Sequence, residues 1–120
     1  MTLTEEARNA AVDAVVALFD SGDIQFQTAA DNEVATLPFA ATAFGAAVSG
    51  TATANTITDD TSAAGGTIDH AVLRKSDNTE VIEVTCGLVG SGQDIELTSL
   101  SIGVGDTVSI TSMTMTMPAS

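Results

Sequence analysis

The sequence predicts a mainly β fold, a β-sandwich or a jelly-roll-like barrel, with one α-helix at the N-terminus. Two observations lead to this prediction. Residues 24–117 contain short segments in which apolar and polar residues alternate, and turn-forming residues separate these segments at similar intervals. Residues 4–20 instead carry apolar residues at helical spacing. Since 120 residues are the length of one ordinary domain, residues 1–120 are predicted to form a single domain.

The N-terminal helix has recognisable start and stop signals. Two candidate caps precede it, because Thr2 forms a capping-box pattern with Glu5 and Thr4 is an alternative cap. Gly22 follows the apolar pattern, and glycine is the residue that most often ends a helix. The helix is therefore predicted over residues 4–20.

The apolar residues of this helix cover a wide sector. At roughly 100° per residue, alanine and leucine form one stripe, valine and phenylalanine extend it sideways, and most acids collect on the opposite arc. Val16 falls inside that polar arc. A sector this wide indicates burial on more than one side, which suits a helix that packs between subunits. The apolar set is Ala7, Ala10, Ala11, Ala14, Ala17, Leu18, Val12, Val15 and Phe19.

Eight strands are predicted in the rest of the chain. In the first strand Ile24 and Phe26 face the core. Residues 39–49 are rich in alanine and are predicted to be irregular, whereas residues 58–67 are predicted to form a polar loop. The predicted strands are 24–28, 34–37, 51–57, 68–75, 80–89, 94–97, 100–102 and 107–117, and the inward face of strand 80–89 comprises Ile82, Val84, Cys86 and Leu88.

The apolar residues of the last predicted strand, 107–117, change sides partway along. Val108 and Ile110 share one face, whereas the three methionines share the other, because alternation has a period of two. Either a β-bulge near Thr111 turns all five side chains toward one core, or the methionines face a partner. The candidate interface residues, on the helix and on this strand, are Ala10, Ala14, Val15, Leu18, Met113, Met115 and Met117.

Charge and hydropathy exclude several classes of partner. The chain has 3 Lys and Arg against 16 Asp and Glu, a net charge of −13. Nucleic-acid binding needs cations to displace phosphate counterions, so we expect no nucleic-acid partner. No apolar run approaches the roughly 20 residues that span a bilayer, and no secretory signal is recognisable. We expect no membrane partner and synthesis in the cytoplasm of a host cell.

The sequence offers little to support catalysis. Cys86 is the only cysteine and His70 the only histidine, so an internal disulfide is excluded and a cysteine–histidine nucleophile has little basis. Residues 87–92 are rich in glycine but lack the following helix of a phosphate-binding loop, so they are predicted to form a turn. We expect a non-enzymatic protein with no catalytic residue, no cofactor and no metal ligand.

Acidic residues of the polar loop raise the question of a cation. Asp59 and Asp60, with Asp69 nearby, do not have EF-hand spacing, and they are predicted to be solvated. A weakly bound loop cation is the alternative.

The shortage of large side chains favours assembly. The chain has no Trp, no Tyr and only 4 Phe, and small residues dominate. Because small side chains bury little apolar area, an isolated subunit is expected to be only marginally stable. We expect a homo-oligomer, since association adds stability to such a chain.

Several segments of the sequence form a pattern together. A helix, EEARNAAVDAVVALFDSGD, is followed directly by an alternating strand, IQFQT, and then by ATLP and PFAATAFGAAVSGTATANTITDDTSA. The hairpin is HAVLRKSDNTEVIEV, and the C-terminal part is GLVGSGQDIELTSLSIGVGDTVSITSMTMTMP. Over nearly the whole chain, these segments resemble a family of small structural proteins of tailed bacteriophages. The chain departs from the family at residues 29–32, where the family has a Ser-Gly-containing loop and a proline.

The resemblance implies a virion structural protein with no active site. Its most specific form is a head decoration (cement) protein, which would bind the capsid exterior as an oligomer, with a trimer expected, and bridge capsomers. The implied partners are other copies of the chain and the major capsid protein or other virion proteins. A neck, tail or fibre component is the alternative. A carbohydrate- or receptor-binding β-module is a second alternative, although the absent Trp and Tyr leave few aromatic platforms for a sugar.

Overall fold

The computed structural model describes residues 1–119, and it confirms a mainly β fold with one N-terminal helix. Five strands form one sheet in the order β2-β1-β5-β6-β7, and this sheet curls into a half-barrel. The sheet is antiparallel except for its last pair, β6 and β7. The elements are α1 (Glu5–Val16), a 3₁₀ turn (Ala17–Phe19), β1 (Asp23–Gln27), β2 (Glu33–Pro38), β3 (Thr51–Thr53), β4 (Gly66–Thr67), β5 (His70–Arg74), β6 (Glu80–Leu88), β7 (Ile95–Leu97), β8 (Ser101–Ile102) and β9 (Thr114–Thr116).

Strand β1 lies at the centre of the filled part of the core. Ile24 and Phe26 point inward and are fully buried, as their alternation predicted. Phe26 is opposite Ala35 on β2 and Ala71 on β5. Because these neighbours are small, the register leaves room for the phenyl ring on the inner face.

The helix begins where one of its two candidate caps predicted. The Thr4 hydroxyl accepts a hydrogen bond from the Ala7 amide at 3.2 Å, which makes Thr4 the N-cap. The α-helix ends at Val16, earlier than the predicted residue 20, and continues as the 3₁₀ turn through Phe19.

One position of the predicted helix pattern was wrong. Val16, which helical spacing placed among the polar residues, is 4% exposed and packs in the core with Val12 and Phe19. Ala10 and Ala14, two of the predicted interface residues, are exposed. Burying a valine or a phenylalanine removes more apolar area from water than burying an alanine, so the bulkier side of the helix faces the core.

Three residues of the polar arc of the helix accept hydrogen bonds from another part of the chain. Glu5, Asn9 and Asp13 lie one turn apart and accept hydrogen bonds from backbone amides of the irregular segment 39–49 and of Gly50. These bonds satisfy amides of an irregular stretch that also pairs with residues 51–55, and they fix it against the helix. The amide donors are Ala47 at 2.8 Å, Ser49 at 3.2 Å and Gly50 at 2.8 Å.

The last predicted strand is interrupted. Only residues 114–116 form β9, which pairs with β3, whereas Val108 bridges to Asp60 and the chain bends at Thr111. This bend changes the side-chain orientation between Ile110 and Met113, so both apolar sets pack against the core. The predicted strand of eleven residues was therefore too long.

The inner face of β6 is shorter than predicted. Ile82, Val84 and Cys86 are partly buried against the core, but Leu88 is half exposed. Strand β5 pairs with β6 only as far as Thr85, so the end of β6 extends beyond the filled core. Leu88 therefore has no apolar layer beneath it.

Candidate functional site

One cavity in the described chain is a groove on the inner side of the half-barrel. It has a volume of about 600 Å³ and lies between the β6–β7 end of the sheet and residues 109–116. Apolar and polar residues line it in equal number. The apolar lining residues are Leu73, Ile82, Val84, Ile95, Leu97, Ile110, Met113 and Met115.

This groove is an unfilled part of the core. Among its apolar lining residues only Leu73 is fully buried, and the others are partly exposed. A second cavity of about 210 Å³ lies along residues 54–57 and 110–113, so the interrupted last segment borders a cavity on each side. Protein interiors are normally close-packed, so a groove of this size marks a surface that a further group can cover.

The predicted interface residues fall into two separate groups. Met113 and Met115 line the groove, and Met117 is partly buried against the core beyond it. Ala10, Ala14 and Leu18 lie on the exposed side of the helix, where Leu18 is 44% exposed. Val15 lies between these groups and packs partly against the core. The structure does not bring the methionines and the exposed helix residues into one site.

The outer face of the sheet carries a polar network centred on His70. Its Nδ1 lies 2.8 Å from Asp69 Oδ2, and its Nε2 lies 2.9 Å from Gln27 Oε1 and 3.0 Å from Asp31 Oδ1. The Gln27 amide nitrogen donates to Gln25 Oε1 at 2.8 Å, which leaves the Gln27 oxygen as an acceptor. Both ring nitrogens therefore face acceptors, and only the doubly protonated imidazolium can donate to all of them.

We predict that His70 titrates above its ordinary value of 6.5. The hydrogen bond to Asp69 raises the pKa of His70 most, burial opposes it, and Glu83 and Asp31 add to the increase. Because the folded-state pKa is raised, protonated His70 stabilises the fold fully below pH 6.5. This stabilisation is lost as the pH rises through the folded-state pKa.

The single histidine makes this prediction simple to check. An NMR titration of its ring protons is expected to give a midpoint above 6.5, and Asp69→Asn is expected to lower that midpoint. Asp59→Asn, which removes an exposed carboxylate elsewhere, is the matched control and should leave the midpoint unchanged. A wild-type midpoint at or below 6.5 contradicts the proposed imidazolium network.

Cys86 has no feature of a nucleophile. Burial, with smaller contributions from the nearby Asp69 and Asp94 carboxylates, raises the pKa of its thiol to about 11. The thiolate, which is the reactive form of cysteine, is therefore scarce at neutral pH. This agrees with the interpretation of Cys86 as a structural thiol.

The glycine-rich turn is occupied by the protein's own carboxylate. The amides of Gly90 and Gly92 donate to the two oxygens of Glu96, at 3.2 and 2.9 Å. This internal anion takes the place that a phosphate would need, so the turn is a structural feature of β7.

The carboxylate of Asp60, one of the loop acids considered for a cation, also binds the protein's own backbone. It accepts hydrogen bonds from the amides of Thr36 and Ser62.

The structure adds two observations on metal and membrane. Among residues 1–119, no three histidine, cysteine or acidic side chains lie close enough together to hold a metal ion. In the same range, no helix is both long and apolar enough to cross a bilayer.

Comparison of the chain with protein-family models, with curated proteins and with solved structures gives no match. The interpretation of the surfaces therefore depends on their geometry and chemistry.

The sequence identified one wall of the groove, because the apolar residues change from one face of the last predicted strand to the other at the methionines. It did not identify the opposite wall. Ile95 and Leu97 lie on a strand of three residues that pairs in parallel with β6, and no local pattern predicts such a pairing.

Proposed function

We propose that this protein is a non-catalytic structural component of a tailed-bacteriophage virion. In its most specific form it is a head decoration protein that binds the outside of the capsid as a homo-oligomer and bridges neighbouring capsomers. The observation that supports this proposal is the presence of two separate uncovered apolar surfaces on one small subunit. One is the groove, and the other is the exposed helix face, which we define as Ala10, Ala14 and Leu18.

The helix face suits contact between identical subunits. Alanine side chains are short, so a neighbouring helix can approach closely, toward the lower end of the usual spacing of about 8–10 Å between helix axes. Leu18 adds a larger apolar side chain at the end of the face. Closed symmetry would repeat this contact in every subunit, and a trimer is the expected oligomer.

The charge of the subunit suits an exterior position. A net charge of −13 keeps the exposed surface soluble and repels other copies except where an apolar contact overcomes the repulsion. Each oligomer then carries several identical shell-facing surfaces. Once one of these surfaces has bound the capsid, the others bind at high effective concentration, so several weak contacts together can stabilise the capsid shell.

The experiment that tests this proposal locates the protein in purified virions. Antibodies against the purified chain are expected to label the heads over their whole surface. Mass spectrometry is expected to give a copy number that scales with that of the major capsid protein. A few copies confined to the neck, tail or fibres contradict decoration and favour the alternative structural position. Absence from virions contradicts the virion assignment.

A further inference from the structure

The groove lies between the open end of the half-barrel and the two-stranded sheet of β3 and β9. β7 is the last strand of the curled sheet, and β9, on the other wall, pairs only with β3 within residues 1–119. The Leu97 carbonyl accepts from the Val89 amide, so it points toward β6. Because backbone groups alternate in direction along a strand, the amide and carbonyl of Glu96 point away from β6 to the open edge.

The opposite edge of the same sheet is protected. Along β2, the Asp60 carboxylate accepts from the Thr36 amide at 2.9 Å, and the Thr58 amide donates to the Pro38 carbonyl at 2.9 Å. Natural sheets cover or block their edges because open ones pair with other chains. This chain covers β2 and leaves β7 open beside the groove, which is the arrangement of a site for an added strand.

The walls of the groove match the side-chain period of a strand. Ile95 and Leu97 are two residues apart on one wall, and Met113 and Met115 have the same spacing on the other. An extended segment in the gap would place every second side chain on these apolar residues and its backbone against Glu96. Methionine adapts its shape to what it contacts, so the wall can accept side chains of different outline.

Charge indicates the chemistry of the occupant. Asp94 is an exposed acid beside the groove, and none of the lining residues is basic. A second copy of this chain is a poor match, because it brings another net charge of −13. Of its 3 basic residues, Arg74 is already held by Asp23 at 2.7 Å.

We infer that the groove binds an extended strand of a different protein, with alternating apolar residues flanked by lysine or arginine. The strand pairs with the open edge of β7 and completes the apolar core. This inference deepens the proposed function, since it gives the groove the shell-facing role and leaves the helix face for self-association. Asp94 and the net charge of −13 attract the basic flanks, steer their approach and disfavour acidic segments.

The test uses the full chain labelled with ¹³C at its methionine methyl groups. The probe is an eight-residue peptide with alternating valine and threonine between terminal lysines. We expect it to shift the Met113 and Met115 signals and to leave Met1, which is fully exposed, unchanged. A peptide with terminal glutamates is expected to bind about tenfold more weakly, as is a lysine peptide with a central proline, which cannot donate to the edge.

Matched protein variants separate local charge from total charge. Asp94→Asn removes a charge beside the groove and is expected to weaken binding of the lysine peptide about threefold. The control, Asp59→Asn, removes an exposed charge outside the lining and is expected to leave that affinity nearly unchanged. Both substitutions keep groups of similar shape, so folding is expected to be preserved.

Several results would overturn the inference. One is that the peptide leaves the Met113 and Met115 signals unchanged. Another is that the lysine peptide binds no more tightly than the glutamate peptide, or no more tightly than the lysine peptide with the central proline. A neutral alkyl glycoside that occupies the groove when the lysine peptide does not would indicate a small apolar ligand instead. If the antibodies label virion heads but the peptide does not bind the groove, this inference alone is contradicted. The head-decoration proposal then stands.

Discussion

Replacing Gly22 by alanine is expected to destabilise the protein strongly. Gly22 is buried between the 3₁₀ turn and β1, and its backbone joins the turn to the residue after β2, since it donates to the Phe19 carbonyl at 2.8 Å and accepts from the Phe39 amide at 2.9 Å. A Cβ atom at this position would lie 2.0 Å from the carbonyl oxygen of Arg74. Because that atom belongs to the backbone of β5, no side-chain rotation relieves the clash, and strand or helix must move. The expected loss of stability is about 3 kcal/mol or more.

Gly45→Ala is the matched control for this substitution. The nearest heavy atom to a Cβ at Gly45 is 3.8 Å away, which is an ordinary contact distance. Its effect on the free energy of unfolding is expected to stay within about 0.5 kcal/mol. Urea denaturation followed by circular dichroism measures both variants. If Gly22→Ala unfolds at the same urea concentration as Gly45→Ala, the close packing of the helix junction on β5 is contradicted.

Phe19→Ala is expected to cost about 3–5 kcal/mol of stability. Phe19 is fully buried at the end of the helix, and its ring centroid lies 6.0 Å from that of Phe39. The chain has only 4 aromatic residues, so little else can fill the resulting cavity. Since small domains are stable by only about 5–15 kcal/mol in total, this single loss removes a large part of the stability.

Val104→Ala is the control for the loss of apolar side-chain volume. Val104 is 86% exposed on a turn, and its truncation is expected to change stability by about 0.5 kcal/mol or less. Thermal and urea unfolding of both variants give the comparison. A Phe19→Ala protein as stable as Val104→Ala would show that the helix does not depend on its docking through Phe19.

The elements that the sequence predicted well depend on local signals. Ile24 and Phe26 alternate with polar residues, and the turn at residues 76–79 separates two apolar strands, so both β1 and the β5–β6 hairpin could be located. The threonine cap of the helix is equally local. Each of these features involves residues only a few positions apart, which is the range over which a sequence pattern is informative.

The features that prediction missed depend on distant parts of the chain. Val16 is buried because β3 and β9 pack on the helix and its valine side faces the core, and helical spacing alone could not distinguish that side from the alanine side. The last strand is broken because Val108 bridges to Asp60, nearly fifty residues away. The groove depends on the parallel pairing of β7 and on a gap beside β9, and no local pattern predicts either.

The central claim is that the subunit completes its apolar surfaces by association, and the mass in solution tests it most directly. Sedimentation equilibrium over a range of protein concentrations is expected to give a concentration-dependent oligomer, three times the 12.1 kDa chain at the upper end. Ala14→Glu, on the helix face, is expected to give a monomer, whereas Ala64→Glu, at an exposed position in another loop, is expected to associate as the wild type does. A wild-type protein that stays monomeric and stably folded at every concentration would contradict the claim.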